Sequence, residues 1–219
     1  FRWRGDPEED HAPDRQRDDA DGEDGHESYQ LLAQAGIAGD VRRGQVRRAL
    51  GEFREALEDF DRGLAIDPEE NRGRYCRGSA RLAIGDLDGA RTDLDKVLRV
   101  DPDSFNGRVD RGNLHLQQGR YDAAIADFNE AMRISPNAPE PYSNRGCVYH
   151  ALGRFDEALA DFDRALERNP KYPEAYVGRG LAWEAKGDKA RAQRDLRKAL
   201  EVAPPDWPHR KTVEQWLAQ

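Results

Sequence analysis

The chain has 219 residues, 35 of them basic and 43 acidic, for a formal net charge of −8. No apolar run approaches the roughly 18–20 residues needed to span a bilayer as a helix, and two cysteines are too few for a disulfide scaffold. The acidic balance argues against sequence-independent nucleic-acid binding, which needs a basic footprint. Four Trp, seven Phe and seven Tyr are too many for a uniformly disordered chain.

The charge is concentrated at the start. Residues 1–27 hold 11 acids and 4 arginines, and after Trp3 they hold no aromatic and no aliphatic larger than Ala. Such a segment cannot bury enough apolar surface to offset its ordering entropy, so a disordered acidic tail is expected over 1–27. Asp19, Asp21 and Glu23 alternate as in a calcium loop, but Asp24 stands where that loop needs Gly. Phe1-Arg2-Trp3-Arg4 mixes aromatic and basic residues as juxtamembrane segments do, which fits a processed product or an excerpt of a longer, anchored protein, and equally an arbitrary boundary. Tyr29, Leu31 and Leu32 predict a short N-terminal helix or cap over 28–36.

Internal repetition organises the rest. Pro68, Pro102, Pro136, Pro170 and Pro204 lie 34 residues apart. The same step carries Arg-Gly pairs at 43–44, 77–78, 111–112, 145–146 and 179–180, and glycines at 51, 85, 119, 153 and 187. It also carries alanines at 56, 90, 124, 158 and 192, and an Asp followed by Phe or Leu at 59, 93, 127, 161 and 195.

Each column has a physical reading. Phe155, Leu159, Phe162 and Leu166 fall at i, i+4, i+7 and i+11, the spacing of one helix face. Gly153 suits the left-handed residue that ends a first helix. Asp156 suits the positive end of a second helix. Pro170 closes that helix, because the residue before a proline is pushed out of the α region. Gly146 and Ala158 are small enough to let the two helices approach closely. Each unit is a helical hairpin that cannot bury its apolar face alone, so stacking makes the core.

This pattern resembles the tetratricopeptide repeat, with the signature W-x2-L-G-x2-Y…A-x3-F…P, in an Arg-Gly variant. The resemblance implies an all-α fold, a right-handed α-solenoid of five tandem 34-residue helical hairpins with a C-terminal capping helix. The repeats would span 37–70, 71–104, 105–138, 139–172 and 173–206. The first aromatic position holds Tyr142 and Tyr176 but Asp40, Arg74 and Arg108 earlier, and the second holds Tyr149 and Trp183 but Arg47, Arg81 and His115. In the cap, over 207–219, Asp206 is expected to begin a helix with Pro208 in its first turn, and Val213, Trp216 and Leu217 give it one apolar face.

The usual Leu before the first Gly is Arg in every repeat, and an Asp follows 16 residues later. An Arg in that slot is costly unless paired. The pairs Arg43 and Asp59, Arg77 and Asp93, Arg111 and Asp127, Arg145 and Asp161, and Arg179 and Asp195 therefore predict a structural ion-pair ladder, within hairpins or between neighbours.

The resemblance also implies a concave groove lined by the first helices. Carried over position by position, the partner-binding residues are Arg42, Gln45, Arg48, Arg72, Tyr75, Ser79, Leu82, Asn113, Leu116, Gln117, Asn144, Cys147, His150 and Leu181. Asp110, Ser143, Val177 and Glu184 fall at further groove positions. The groove reads as basic at its N-terminal end and amide-rich in the middle, where Asn113 and Asn144 can clamp an extended backbone. They fall at the two Asn positions of the clamp that holds chaperone C-termini in this family, but Val109, Glu174 and Gly178 stand where its basic partners belong.

The catalytic inventory is thin: no H-E-x-x-H, G-x-S-x-G, phosphate loop or C-x-x-C is present. Cys147 and His150 sit at i, i+3 but lack further ligands for a metal, and Cys76 and Cys147 are expected to be unbridged thiols. No cofactor is expected. The expectation is a non-enzymatic scaffold that binds a protein or peptide ligand, an acidic one given the Arg end, and no nucleic acid. The alternatives are a self-assembling homo-oligomeric module, or the interaction domain of a larger protein whose membrane segment lies outside this sequence.

Overall fold

The structure, a computed structural model, describes residues 37–218, with side chains from Gly39 onward. The acidic tail expected over 1–27 and the short helix expected over 28–36 lie outside the described residues. Eleven helices and no strand occur among the described residues: α1 (Ile37–Ala49), α2 (Phe53–Ile66), α3 (Asn71–Ile84), α4 (Leu87–Val100), α5 (Phe105–Gln117), α6 (Tyr121–Ile134), α7 (Glu140–Ala151), α8 (Phe155–Arg168), α9 (Pro173–Ala185), α10 (Lys189–Val202) and α11 (Arg210–Leu217). They form consecutive helical hairpins of the α-solenoid class.

The chain divides into two compact units, one ending at Asp110 and one beginning at Arg111, so the division falls within α5. In the first unit α1 packs on α2, α2 on α3 and α3 on α4. In the second, α6 packs on α7, and α7 to α10 pack pairwise in order, with α11 closing on α10.

The turn inside each hairpin is set by the glycine column. Gly85 ends α3 with φ of 82°, and its N–H reaches the carbonyls of Arg81 and Leu82. Gly51, Gly119, Gly153 and Gly187 share that left-handed backbone, which costs an L side chain about 1 kcal/mol or more. Asp86 and Asp188 then open α4 and α10 by accepting from the N–H groups of Gly89 and Arg191, at 3.0 and 2.9 Å. The second helices end on extended residues, Asp67, Asp101 and Asn169, each just before a proline. Their side chains accept from the N–H two residues on, at 2.9–3.2 Å, an Asx turn that replaces the lost helical bond.

The core is the apolar stripe of the second helices. Phe60, Phe128, Phe162 and Leu94 are fully buried, as are Ala56, Ala90, Ala124 and Ala158. The Arg-Gly column explains how close the helices come. A Cβ on Gly44 or Gly112 would lie 2.6 or 2.5 Å from the ring of Phe60 or Phe128.

One boundary differs from expectation. Helix α11 begins at Arg210 with His209 at its N-cap, and Asp206 is exposed in the preceding turn. Trp207 takes over there. It is 7% exposed, its N–H bonds to the Pro204 carbonyl, and its carbonyl accepts from Arg210 N–H. Its indole Nε1 donates to Glu174 at 2.8 Å. Burying a Trp with its N–H satisfied outweighs a one-residue capping preference. Val213 is buried and Trp216 and Leu217 are half-buried beside Leu196 and Ala199.

Candidate functional site

The arginines before the first glycine face carboxylates. Arg43, Arg77, Arg111, Arg145 and Arg179 each reach the Asp 16 residues on, at 2.6–2.8 Å. The Asp side chains are buried and the Arg side chains keep some exposure. Arg77, Arg111, Arg145 and Arg179 bind bidentately through Nε and Nη2, the strong geometry for this pair. These hydrogen bonds hold Arg43, Arg77, Arg145 and Arg179 above the ordinary guanidinium range. A third nitrogen reaches back to the preceding hairpin: Arg77 to Asp61 and Arg179 to Asp163, both at 2.7 Å, and Arg145 to Asn129. The pairs thus join helices within a hairpin and between hairpins, and their guanidinium groups are already committed.

The departures at the aromatic positions have partners too. Arg47 and Arg81 approach the same carboxylates, Asp59 and Asp93, at 3.0 and 2.7 Å, and His115 lies 3.7 Å from Asp127. Where Tyr149 and Trp183 occupy that slot, Arg154 and Arg191 stack on the rings at 4.6 and 4.3 Å. At the other slot, Tyr176 donates to the Pro170 carbonyl at 3.1 Å, and Arg108 donates to the Pro102 carbonyl at 3.1 Å through both Nε and Nη2. Arg74 bonds likewise to Pro68. Arg and Tyr are interchangeable there because each carries a donor far enough out to reach a carbonyl six residues back. Asp40 instead pairs with Arg43.

The remaining polar residues of the first helices form the candidate site. In the first unit they fall into two groups. Arg72, exposed, donates to Gln45 Oε1 at 3.4 Å, and Gln45 Nε2 donates to Cys76 Sγ at 3.3 Å. Arg48 donates to Ser79 Oγ at 3.1 Å. The Ser79 and Tyr75 hydroxyls lie close enough to Asp110 to favour its charged form. Burial raises the Asp110 carboxyl above its ordinary range, against the pull of those hydroxyls and the Arg48 charge. Burial also pushes up the Tyr75 hydroxyl and the Cys76 thiol. Asp110 Oδ2 and Arg48 Nε are buried without a hydrogen-bond partner. Arg42 stands exposed, and Leu82 half-buried. The end expected to be basic is therefore partly neutralised, because Asp110, on α5, lies within reach of Arg48 on α1.

In the second unit the groove positions divide. Asn113 and Asn144 are half-buried and Gln117 and Glu184 are exposed. Leu116 packs on the cluster around Phe128, Cys147 on that around Phe162, and Leu181 on that around Val177 and Trp207. His150 packs edge-on against Phe155 at 5.4 Å and hydrogen-bonds to the Leu181 backbone, and burial lowers its pKa. Burial raises the Cys147 thiol to about 11, away from thiolate chemistry. Ser143 and Val177 do not line an open face: both are buried, Val177 completely. A cleft of about 450 Å³ opens between Leu181, Leu196 and Trp216, rimmed by Glu184, Lys189 and Gln193. Cys76 and Cys147 are free thiols. No group of three or more metal-ligating side chains occurs among the described residues.

Known proteins share this architecture. The family described as tetratricopeptide repeat matches residues 41–96, 139–172 and 173–206, and that described as TPR repeat matches 112–153. The chain is a tetratricopeptide repeat protein. No curated protein matches its sequence. Among solved structures, the Thermus thermophilus tetratricopeptide protein TTC0263 is 24% identical, with a TM-score of 0.75 over 84% of this chain and 100% of its own. A tetratricopeptide repeat protein of Parabacteroides merdae is 25% identical, with a TM-score of 0.74 over 91% of this chain and 79% of its own. MamA is 26% identical, with a TM-score of 0.60 over 73% of this chain and 93% of its own. Proteins of this repeat family are in general interaction scaffolds rather than enzymes.

Proposed function

We propose that this tetratricopeptide repeat protein is a non-enzymatic scaffold that holds an extended peptide segment of a partner against its first helices. The observation that carries this reading is the polar cluster of Arg48, Tyr75, Ser79 and Asp110. It leaves one donor, Arg48 Nε, and one acceptor, Asp110 Oδ2, without partners. A buried polar atom left unpaired costs about 1–3 kcal/mol, and a peptide backbone brings both complements. Small side-chain rotations would present the pair to a backbone C=O and N–H. In the second unit, Asn113 and Asn144 offer backbone-binding chemistry of their own, since an amide donates and accepts at once.

The test is selection of binders from a random peptide library displayed on phage, followed by calorimetry. A selected peptide should bind Arg48→Ala plus Asp110→Ala about tenfold or more weakly. Unchanged affinity in that double variant rejects the groove.

A further inference from the structure

The second helices of the hairpins differ in charge in a way the repeat does not require. Helix α8 carries two basic and five acidic residues, and α6 carries one and three. Helix α10 carries five basic residues and two acidic ones. The reversal is sharpest on its solvent face. Ala192, Asp195, Leu196 and Ala199 are buried, so the opposite side presents Arg194 and Arg197, both exposed. One repeat earlier those positions hold Ala160 and Asp163, and two repeats earlier Ala126 and Asn129.

The ladder explains why position 197 is free to change sign. Asp163 and Asn129 accept from Arg179 and Arg145, the ladder arginines of the following hairpins. The residue at the corresponding place after α10 is Val213, which is buried. An acid at 197 would have no arginine to meet, and a cation there meets no repulsion. Arg197 instead donates to Gln193 at 3.3 Å. Arg194 and Lys189 have no acidic partner among the described residues. Lys198 is tied to Glu201 at 2.7 Å, and Arg191 to Asp188 at 3.2 Å. Five of the six lysines of the chain fall between Lys171 and Lys211.

We infer that the solvent face of α10, centred on Arg194 and Arg197, is a docking surface for an acidic peptide segment of a partner protein, separate from the groove. Charge complementarity fixes the class. The face is too small, and too interrupted by Glu201, to track a nucleic-acid backbone, and it offers no exposed aromatic for base stacking. Two guanidinium groups one helical turn apart, neither held by a carboxylate, suit successive acids of a short acidic run. The assignment also takes the acidic ligand away from Arg48, whose charge Asp110 already opposes.

The experiment uses the full chain and a fluorescein-labelled 12-residue peptide of alternating Asp and Glu, followed by anisotropy at low salt. Arg194→Glu plus Arg197→Glu should weaken binding about tenfold or more. Arg42→Glu plus Arg72→Glu, in the groove, should change it less than about twofold. Raising salt to about 0.5 M should abolish binding to the parent chain, since exposed charges are then screened within a few ångströms. Both double variants lie at exposed sites, and their melting curves check folding. The inference is overturned if the groove variant loses binding and the α10 variant keeps it. It is also overturned if a single-stranded oligonucleotide of equal charge binds more tightly than the peptide. Concentration-dependent self-association that is lost in the α10 variant would assign the face to a second copy and overturn it too. None of these readings depends on whether a peptide occupies the groove.

Discussion

Arg81 Nη1 lies 2.7 Å from Asp93 Oδ2, so the Asp93 carboxylate holds two guanidinium groups at once, with Arg77 spanning both of its oxygens. The slot that elsewhere takes Tyr149 or Trp183 here supplies a second cation to a buried acid. The aromatic position is thus retained in a different chemistry, ion pairing in place of ring packing.

Removal of that acid should be expensive. Asp93→Ala leaves two cations facing a buried cavity, and breaking such a pair costs about 3–5 kcal/mol. Thermal denaturation should show a drop of about 10 °C. Asp88→Ala removes an exposed partner of Arg91 and should cost under about 1 kcal/mol. Equal effects of the two substitutions would deny the ladder its structural role.

Gly178 stands where the chaperone-type clamp would carry a basic residue, and packing forbids one. A Cβ there would lie 2.3 Å from the Phe162 ring. Gly178→Asn should destabilise the fold by about 1–3 kcal/mol, the cost of overpacking. Phe162→Leu in the same chain should recover part of that loss, and a double-mutant cycle on melting free energies would measure the coupling. Additive effects would place the strain elsewhere.

Arg108 does the work of a tyrosine at the Pro102 carbonyl. Arg108→Tyr should therefore leave denaturant stability within about 0.5 kcal/mol. Arg108→Leu, which cannot donate, should lose about 1 kcal/mol. If the two variants lose the same amount, the bond to the carbonyl contributes nothing.

Asp110 gives a pH signature. Its folded pKa is raised by burial, so ionisation is less favourable in the folded chain than in the unfolded one. Its contribution is fullest below the ordinary carboxylate range and declines as pH rises through the folded value. Asp110→Asn removes that penalty while keeping the side chain's size and one carbonyl oxygen. The melting temperature of Asp110→Asn relative to the parent should thus rise from pH 3 to pH 7. A difference that stays constant across that range would show that Asp110 ionises freely.

The 34-residue period alone determined a great deal. Gly85 and its equivalents had to end first helices, and Pro170 had to close a second one, because these residues restrict their own backbone. The Phe and Ala columns marked the buried stripe for the same reason, since local spacing fixes which side chains share a helix face. Only the packing of helices against one another decided the rest. The pairing of Asp93 with both Arg77 and Arg81, the burial of Ser143 and Val177 at expected groove positions, and the meeting of Arg48 with Asp110 depend on distances between helices that no column encodes. Trp207 belongs to no column at all, and its place in the core appeared only when Glu174 and Leu196 were brought beside it. Periodicity specifies the conformation of each hairpin. The free energy of a buried charge or ring depends on what the neighbouring helix places within a few ångströms of it.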